Sequence, residues 1–169
     1  MRVVRLLMIP MTVALLFPAW AADTSRPCSA PAHHQFDFWI GEWEVRTPDG
    51  SLAGTNRITS IQGGCGLQEN WEGTSGMTGT SLNSYDAARG RWHQTWVDSH
   101  GSILLLEGQF KDGKMTLGGV GRSPRGGTVQ DRITWETVTG GFVRQLWEQS
   151  SDGGKSWTVV FDGRYTRKG

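Results

Sequence analysis

Nine glycine-rich turn signals punctuate the chain: Pro48-Asp49-Gly50, Gly63-Gly64, Gly73 to Gly76, Asp86 to Gly90, His100-Gly101, Asp112-Gly113, Ser123 to Gly127, Gly140-Gly141 and Asp152-Gly153-Gly154. Glycine reaches left-handed dihedrals without steric cost, and Asp bonds its own backbone two residues on, so such clusters end extended segments. The stretches between them predict ten strands, at about 38–47, 52–61, 66–73, 79–85, 91–98, 102–110, 114–120, 127–137, 141–149 and 156–166. No long helical pattern competes. This spacing reads as sequential hairpins, hence an all-β chain: an antiparallel up-and-down barrel of about ten strands. The 24 glycines and 9 tryptophans suit it, with glycine at turns and tryptophan on strands.

Upstream of the strands, Arg2 and Arg5 precede an apolar run from Leu6 to Phe17, and Ala19-Trp20-Ala21 has the small-x-small form that a signal peptidase cleaves. The run is shorter than the roughly 20 residues that span a bilayer, and Pro10 and Pro18 interrupt it. We expect a signal peptide over 1–21, an arm over 22–35 and a single barrel domain over 36–169, in a periplasmic or secreted protein. Residues His33 to Phe38 are expected to form a short helical turn leading into the barrel. Cys28 follows Ser25-Arg26-Pro27, not the small apolar triplet of a lipidation site. With Cys65 it is expected to form one structural disulfide in an oxidising compartment; the competing reading, a nucleophilic free thiol, lacks a neighbouring base.

The full chain carries 17 basic and 16 acidic side chains, and loss of Arg2 and Arg5 leaves the balance near neutral. Nothing there supports nucleic acid as a partner, or an anionic membrane surface after cleavage. Oligomeric state is left open.

Successive strand residues point to opposite faces. Leu67, Glu69 and Trp71 share one face of the third strand; Trp92, Gln94, Trp96 and Asp98 share one in the fifth. Val129, Asp131, Ile133 and Trp135 do so in the eighth, and Phe142, Arg144, Leu146 and Glu148 in the ninth. If these faces point inward, tryptophans line an interior interrupted by a few polar groups, the composition of a ligand pocket. Trp71, Trp92, Trp96 and Trp135 would be the walls, and Glu69, Gln94, Asp131 and Arg144 the orienting groups, with Arg144 paired to Glu69 or Asp131. The alternative buries the opposite set, which includes Val45, Val143 and Trp147. A register error of one residue exchanges the two.

Gly41-Glu42-Trp43, opening the first strand, resembles the start of lipocalin and calycin barrels. The resemblance implies that Trp43 packs at a closed end beneath an arginine from the end of the chain, for which Arg164 and Arg167 are the candidates. Phe-Asp-Phe-Trp-Ile-Gly-Glu-Trp at 36–43, Gly-Cys-Gly-Leu-Gln-Glu-Asn-Trp at 64–71 and Ser-Asp-Gly-Gly-Lys-Ser-Trp at 151–157 are similar to an uncharacterised family of bacterial secreted proteins carrying a domain of unknown function, over about residues 33–166. Ten strands and the early Gly-x-Trp also resemble nitrobindin-like barrels, which hold haem through a histidine near the C-terminus. Here the histidines are His33, His34, His93 and His100, so that axial ligand is missing and no cofactor is expected. Ser150 to Trp157 matches the Asp-box of sialidase propellers, but one copy is a hairpin turn and not a propeller.

His33-His34 beside Asp37 reads as a polar arm and not a metal site. A triad of His93, Asp98 and Ser102 lacks a nucleophile elbow. The first functional expectation is therefore a secreted barrel binding a small apolar or amphipathic molecule of unknown identity. Behind it stand an enzyme using Glu69 or Asp131 with Arg144 for acid/base chemistry, and a structural module whose barrel is filled by side chains.

Overall fold

A computed structural model describes residues 26–123 and 126–168; the expected signal peptide lies outside the described residues, as do 22–25 of the arm. Ten strands follow in order: β1 (Gly41–Arg46), β2 (Leu52–Ile61), β3 (Gly66–Gly73), β4 (Thr78–Asp86), β5 (Arg91–Asp98), β6 (Ile103–Lys111), β7 (Lys114–Arg122), β8 (Thr128–Val138), β9 (Phe142–Ser150) and β10 (Thr158–Arg167). Each pairs antiparallel with the next, and β10 returns to β1 in the register Trp43–Arg167 to Arg46–Arg164, closing the barrel. Closure satisfies the backbone groups that an open sheet would leave at its edges. The expected lipocalin- or calycin-like up-and-down architecture is therefore the architecture of this chain.

The first strand begins three residues later than the sequence suggests. Asp37–Trp39 instead forms a turn of 3-10 helix, in which side chains three residues apart lie over one another. That geometry aims Phe36 and Trp39 together into one mouth of the barrel, where both are fully buried and stack at 4.9 Å between ring centres. The edges of Trp92 and Trp135 pack on Phe36 at 5.6 and 5.2 Å. The Trp43 indole N–H donates to the Trp39 carbonyl at 2.9 Å, and the Arg167 guanidinium lies 4.4 Å over the Trp43 ring. Gly41 has φ +148°, and any Cβ there would collide with the Arg167 guanidinium. Of the two expected arginines, Arg167 is thus the one that caps Trp43; Arg164 lies 3.6 Å over Phe142. A disulfide between Cys28 and Cys65, with Cα atoms 5.1 Å apart, ties the arm to the β2–β3 turn at this same end.

The faces of β3, β5 and β8 point as alternation suggests: Leu67, Glu69, Trp71, Trp92, Gln94, Asp131, Ile133 and Trp135 are all buried. Strand β9 is reversed. Its cross-strand partners set Val143 against Tyr165 and Trp147 against Phe161, so Val143, Gln145 and Trp147 point inward, and Phe142, Arg144, Leu146 and Glu148 point outward. Arg144 is not an interior group and meets neither Glu69 nor Asp131. It makes a bidentate pair with Asp162 at 2.8 Å and approaches Glu136 at 3.8 Å, while its neighbour Glu148 binds Arg132 at 2.9 Å. Phe142-Val-Arg-Gln-Leu-Trp-Glu-Gln149 carries an apolar pair in both alternation sets, so hydrophobicity alone does not choose a face; ion pairing with β8 and β10 accommodates the charged one outside.

Candidate functional site

The hairpin turns β1–β2, β3–β4, β5–β6, β7–β8 and β9–β10 all lie at the end away from the Phe36–Trp39 plug. Below them the barrel encloses a cavity of about 260 Å³. Its walls near the mouth are Trp71, Met77, Trp96, Leu104, Trp147 and Phe161, with Val160 at the rim; its floor is Ile133, Trp135 and Tyr165, with Glu69, Gln94 and Gln145. Small residues on neighbouring strands make room for the large rings. A Cβ at Gly79 would fall inside the Trp96 indole, and one at Gly54 would press on Trp71. The rings also order one another: Trp71 meets Phe161 edge to face at 6.0 Å.

Polar side chains below the aromatic walls form one connected network, built by register. Ser81 lies directly across from Glu69 on β4, and Asn56 lies on β2 two residues from Ile58, which pairs with Glu69. Ser81 Oγ donates to Glu69 Oε2 at 2.6 Å and Asn56 Nδ2 to Oε1 at 2.7 Å. On one side Asn56 also reaches the Tyr165 hydroxyl at 3.3 Å, and that hydroxyl donates to Gln145 Oε1. On the other, Asn83 Nδ2 donates to Ser81 Oγ at 2.9 Å, and Asn83 Oδ1 accepts from Gln94 Nε2 at 2.7 Å. Asn56 Oδ1 is buried without a hydrogen-bond partner among the described residues, so this network keeps one unmet acceptor, which is costly in low dielectric.

Glu69 is 4% exposed. Burial pushes its carboxyl up to about 7, with the hydrogen bonds from Ser81 and Asn56 pulling partly back. Burial, followed by the nearby Glu69 charge, raises the Tyr165 phenol well above its ordinary range, so it stays a neutral donor. Among the described residues, no lysine, arginine or histidine belongs to the buried set that could neutralise Glu69.

A pH dependence of stability follows. The unfolded carboxyl titrates near 4.5 and the folded one near 7, so the folded state binds the proton more tightly. The associated stability is complete below about pH 4.5 and is lost as pH rises to 7, by about 3 kcal/mol. Urea unfolding between pH 4.5 and 8 should show wild type losing that much relative to Glu69→Gln. Parallel curves for the two proteins would contradict an ionisable, buried Glu69.

Of the residues singled out from sequence, Glu69, Trp71, Gln94, Trp96 and Trp135 do converge on the cavity. Trp92 belongs to the closed end, where its N–H reaches Gln35 at 3.2 Å. Asp131 is buried but lies outside the cavity lining, accepting the Trp147 indole N–H at 2.7 Å and Gln149 Nε2 at 2.9 Å. Arg144 is outside the barrel. Sequence reasoning missed Tyr165, Gln145, Trp147, Phe161, Asn56 and Ser81. For β10 a signal existed: Phe161, Gly163 and Tyr165 alternate with Asp162, Arg164 and Thr166, separating an apolar face from a polar one.

His34 Nδ1 pairs with Asp37 at 2.8 Å, and the His33 ring packs edge-on against Tyr85 at 5.3 Å. The Asp-box motif is a tightly bonded β9–β10 turn: Asp152 accepts the amides of Lys155 and Ser156 at 3.0 Å each, and Arg132 lies 4.0 Å over Trp157. No protein-family model matches the chain, and no curated protein matches it either. Among the described residues no helix is long and apolar enough to cross a membrane.

Proposed function

We propose that this protein is an exported barrel that binds one small, mainly apolar molecule in its cavity. One observation carries the reading: a cavity of about 260 Å³, walled by aromatic rings, sits above a plugged floor with a few converging polar groups. A dry cavity of about 150 Å³ already takes a benzene, so this one has room for a ring with a short substituent. The Cys28–Cys65 disulfide and the leader-like N-terminal sequence support export to an oxidising compartment. The resemblance to secreted barrels with the Gly41-Glu42-Trp43 opening points the same way.

Native mass spectrometry of protein isolated from the compartment it is exported to tests the reading. Wild type should carry a bound small molecule, and Leu104→Trp, which fills the cavity from its wall, should fold without one. Wild type at the mass of its bare chain, like the variant at its own, would favour a barrel that holds nothing.

A second reading, proton-transfer catalysis, is favoured by Glu69 titrating near 7, where its acid and base forms coexist at neutral pH. It loses Arg144, which the barrel wall separates from the cavity. Exchange of solvent deuterium into the bound compound, abolished by Glu69→Gln, would distinguish catalysis from binding.

A further inference from the structure

We infer that the cavity selects a molecule carrying a protonated amine, its cation held by the Glu69 carboxylate among the rings of Trp71, Trp96, Trp147 and Phe161. The inference rests on the binding reading above and names the chemical class of the ligand.

Charge decides first. Among the described residues, Glu69 is the charged residue in the cavity lining, which contains no lysine, arginine or histidine. Its two hydrogen bonds, from Asn56 and Ser81, come from neutral donors and occupy one lone pair on each oxygen. A carboxylate offers about four such positions, so acceptor capacity remains while the counter-charge is missing. A ligand cation supplies both the counter-charge and the remaining donors, and a short hydrogen bond between ammonium and carboxylate is among the stronger neutralising contacts in low dielectric.

The walls add to this preference. Indole and phenyl faces carry negative quadrupole potential and attract a desolvated ammonium. Four donors that an anionic or carbonyl ligand would use are already committed, the Trp147 N–H to Asp131, the Trp96 N–H to Asp98 at 3.4 Å, Gln94 Nε2 to Asn83 and the Tyr165 hydroxyl to Gln145. This leaves the Trp135 indole N–H as a neutral lining donor without a partner among the described residues. An anion entering here would also face Glu69 directly.

Among the described residues, β10 contributes one titratable group beside Glu69, Tyr165, which is neutral throughout the working range; Asp131 on β8 lies outside the lining, accepting from Trp147 and Gln149. Strands β2, β4, β5 and β9 present the uncharged Asn56, Ser81, Asn83, Gln94 and Gln145. An alkylamine keeps its proton to about pH 10, so between pH 6 and 8 Glu69 is the group whose ionisation controls capture of the cation.

Calorimetric titration of the protein with three probes that share one ring tests the inference: 2-phenylethylamine, 2-phenylethanol and 3-phenylpropanoate. At pH 8 the amine should bind at least tenfold more tightly than the alcohol, and the carboxylate most weakly. Amine affinity should rise about tenfold from pH 6 to pH 8 as Glu69 ionises, with proton release at pH 6.5, while affinity for the alcohol does not rise. In Glu69→Gln the amine should fall to within about threefold of the alcohol. Should that variant not fold, the pH series on wild type decides alone. Alcohol binding as tightly as amine at pH 8 overturns the amine assignment and leaves the binding reading in place. Saturable binding by none of the three at millimolar concentration overturns both.

Discussion

Trp43→Ala is expected to lower stability by about 4 kcal/mol, read as a reduced urea midpoint with wild-type slope. The magnitude follows from what the ring does. Trp43 is 1% exposed, packs edge-on to Tyr165 at 6.2 Å, supports the plug through its bond to the Trp39 carbonyl, and carries the Arg167 guanidinium on its outer side. Alanine would leave a cavity against elements that cannot collapse, because β1 is locked between β2 and β10. Loss of the guanidinium alone is a smaller matter, and Arg167→Ala should cost about 1 kcal/mol. A Trp43→Ala protein with the wild-type midpoint would mean that closure of this end does not depend on the indole.

Breaking the Cys28–Cys65 disulfide should cost a similar amount, about 4 kcal/mol, since it closes a loop with a sequence separation of 37 residues. The loop contains Phe36, Trp39 and the whole of β1 and β2, so the cross-link holds the plug beside the end it stoppers. Unfolding of wild type with and without reductant, set beside a Cys28→Ala/Cys65→Ala double variant, measures it. Reduced wild type and the double variant should agree, and a midpoint unaffected by reductant would show that packing of Phe36 and Trp39 suffices to anchor the arm. The expected loss also fits a protein that works in an oxidising compartment, where the bond persists.

The two predictions concern the closed end, whereas the candidate site lies at the other, and the barrel couples them through shared strands. Tyr165 belongs to both. Its ring packs on Trp39 and Trp43 from the cavity side, and its hydroxyl joins the network that holds Glu69. Rigid packing of the plug therefore fixes the floor on which Glu69, Asn56 and Gln145 are arranged.

The sequence by itself determined the strand count and the hairpin order, which depend on local chemistry because glycine and Asp turns specify where strands stop. The closed end was implied only by the resemblance of Gly41-Glu42-Trp43 to lipocalin openings, and the structure showed it in the Trp39–Trp43–Arg167 contacts. The sequence also separated the two faces of β3, β5 and β8, where one alternation set is the more aromatic, and burial in the barrel showed that this set points inward. It could not orient β9, where Phe142 and Leu146 compete with Val143 and Trp147, and with that strand went the sign of the cavity's charge. Only the tertiary structure decided that Arg144 faces Asp162 outside, leaving Glu69 unneutralised within. It also decided that Trp92 fills the floor of the closed end while Trp147 lines the pocket. Facing is a property of paired registers across the whole barrel, and a strand apolar on both sides takes its face from the neighbours it bonds to, not from its own residues.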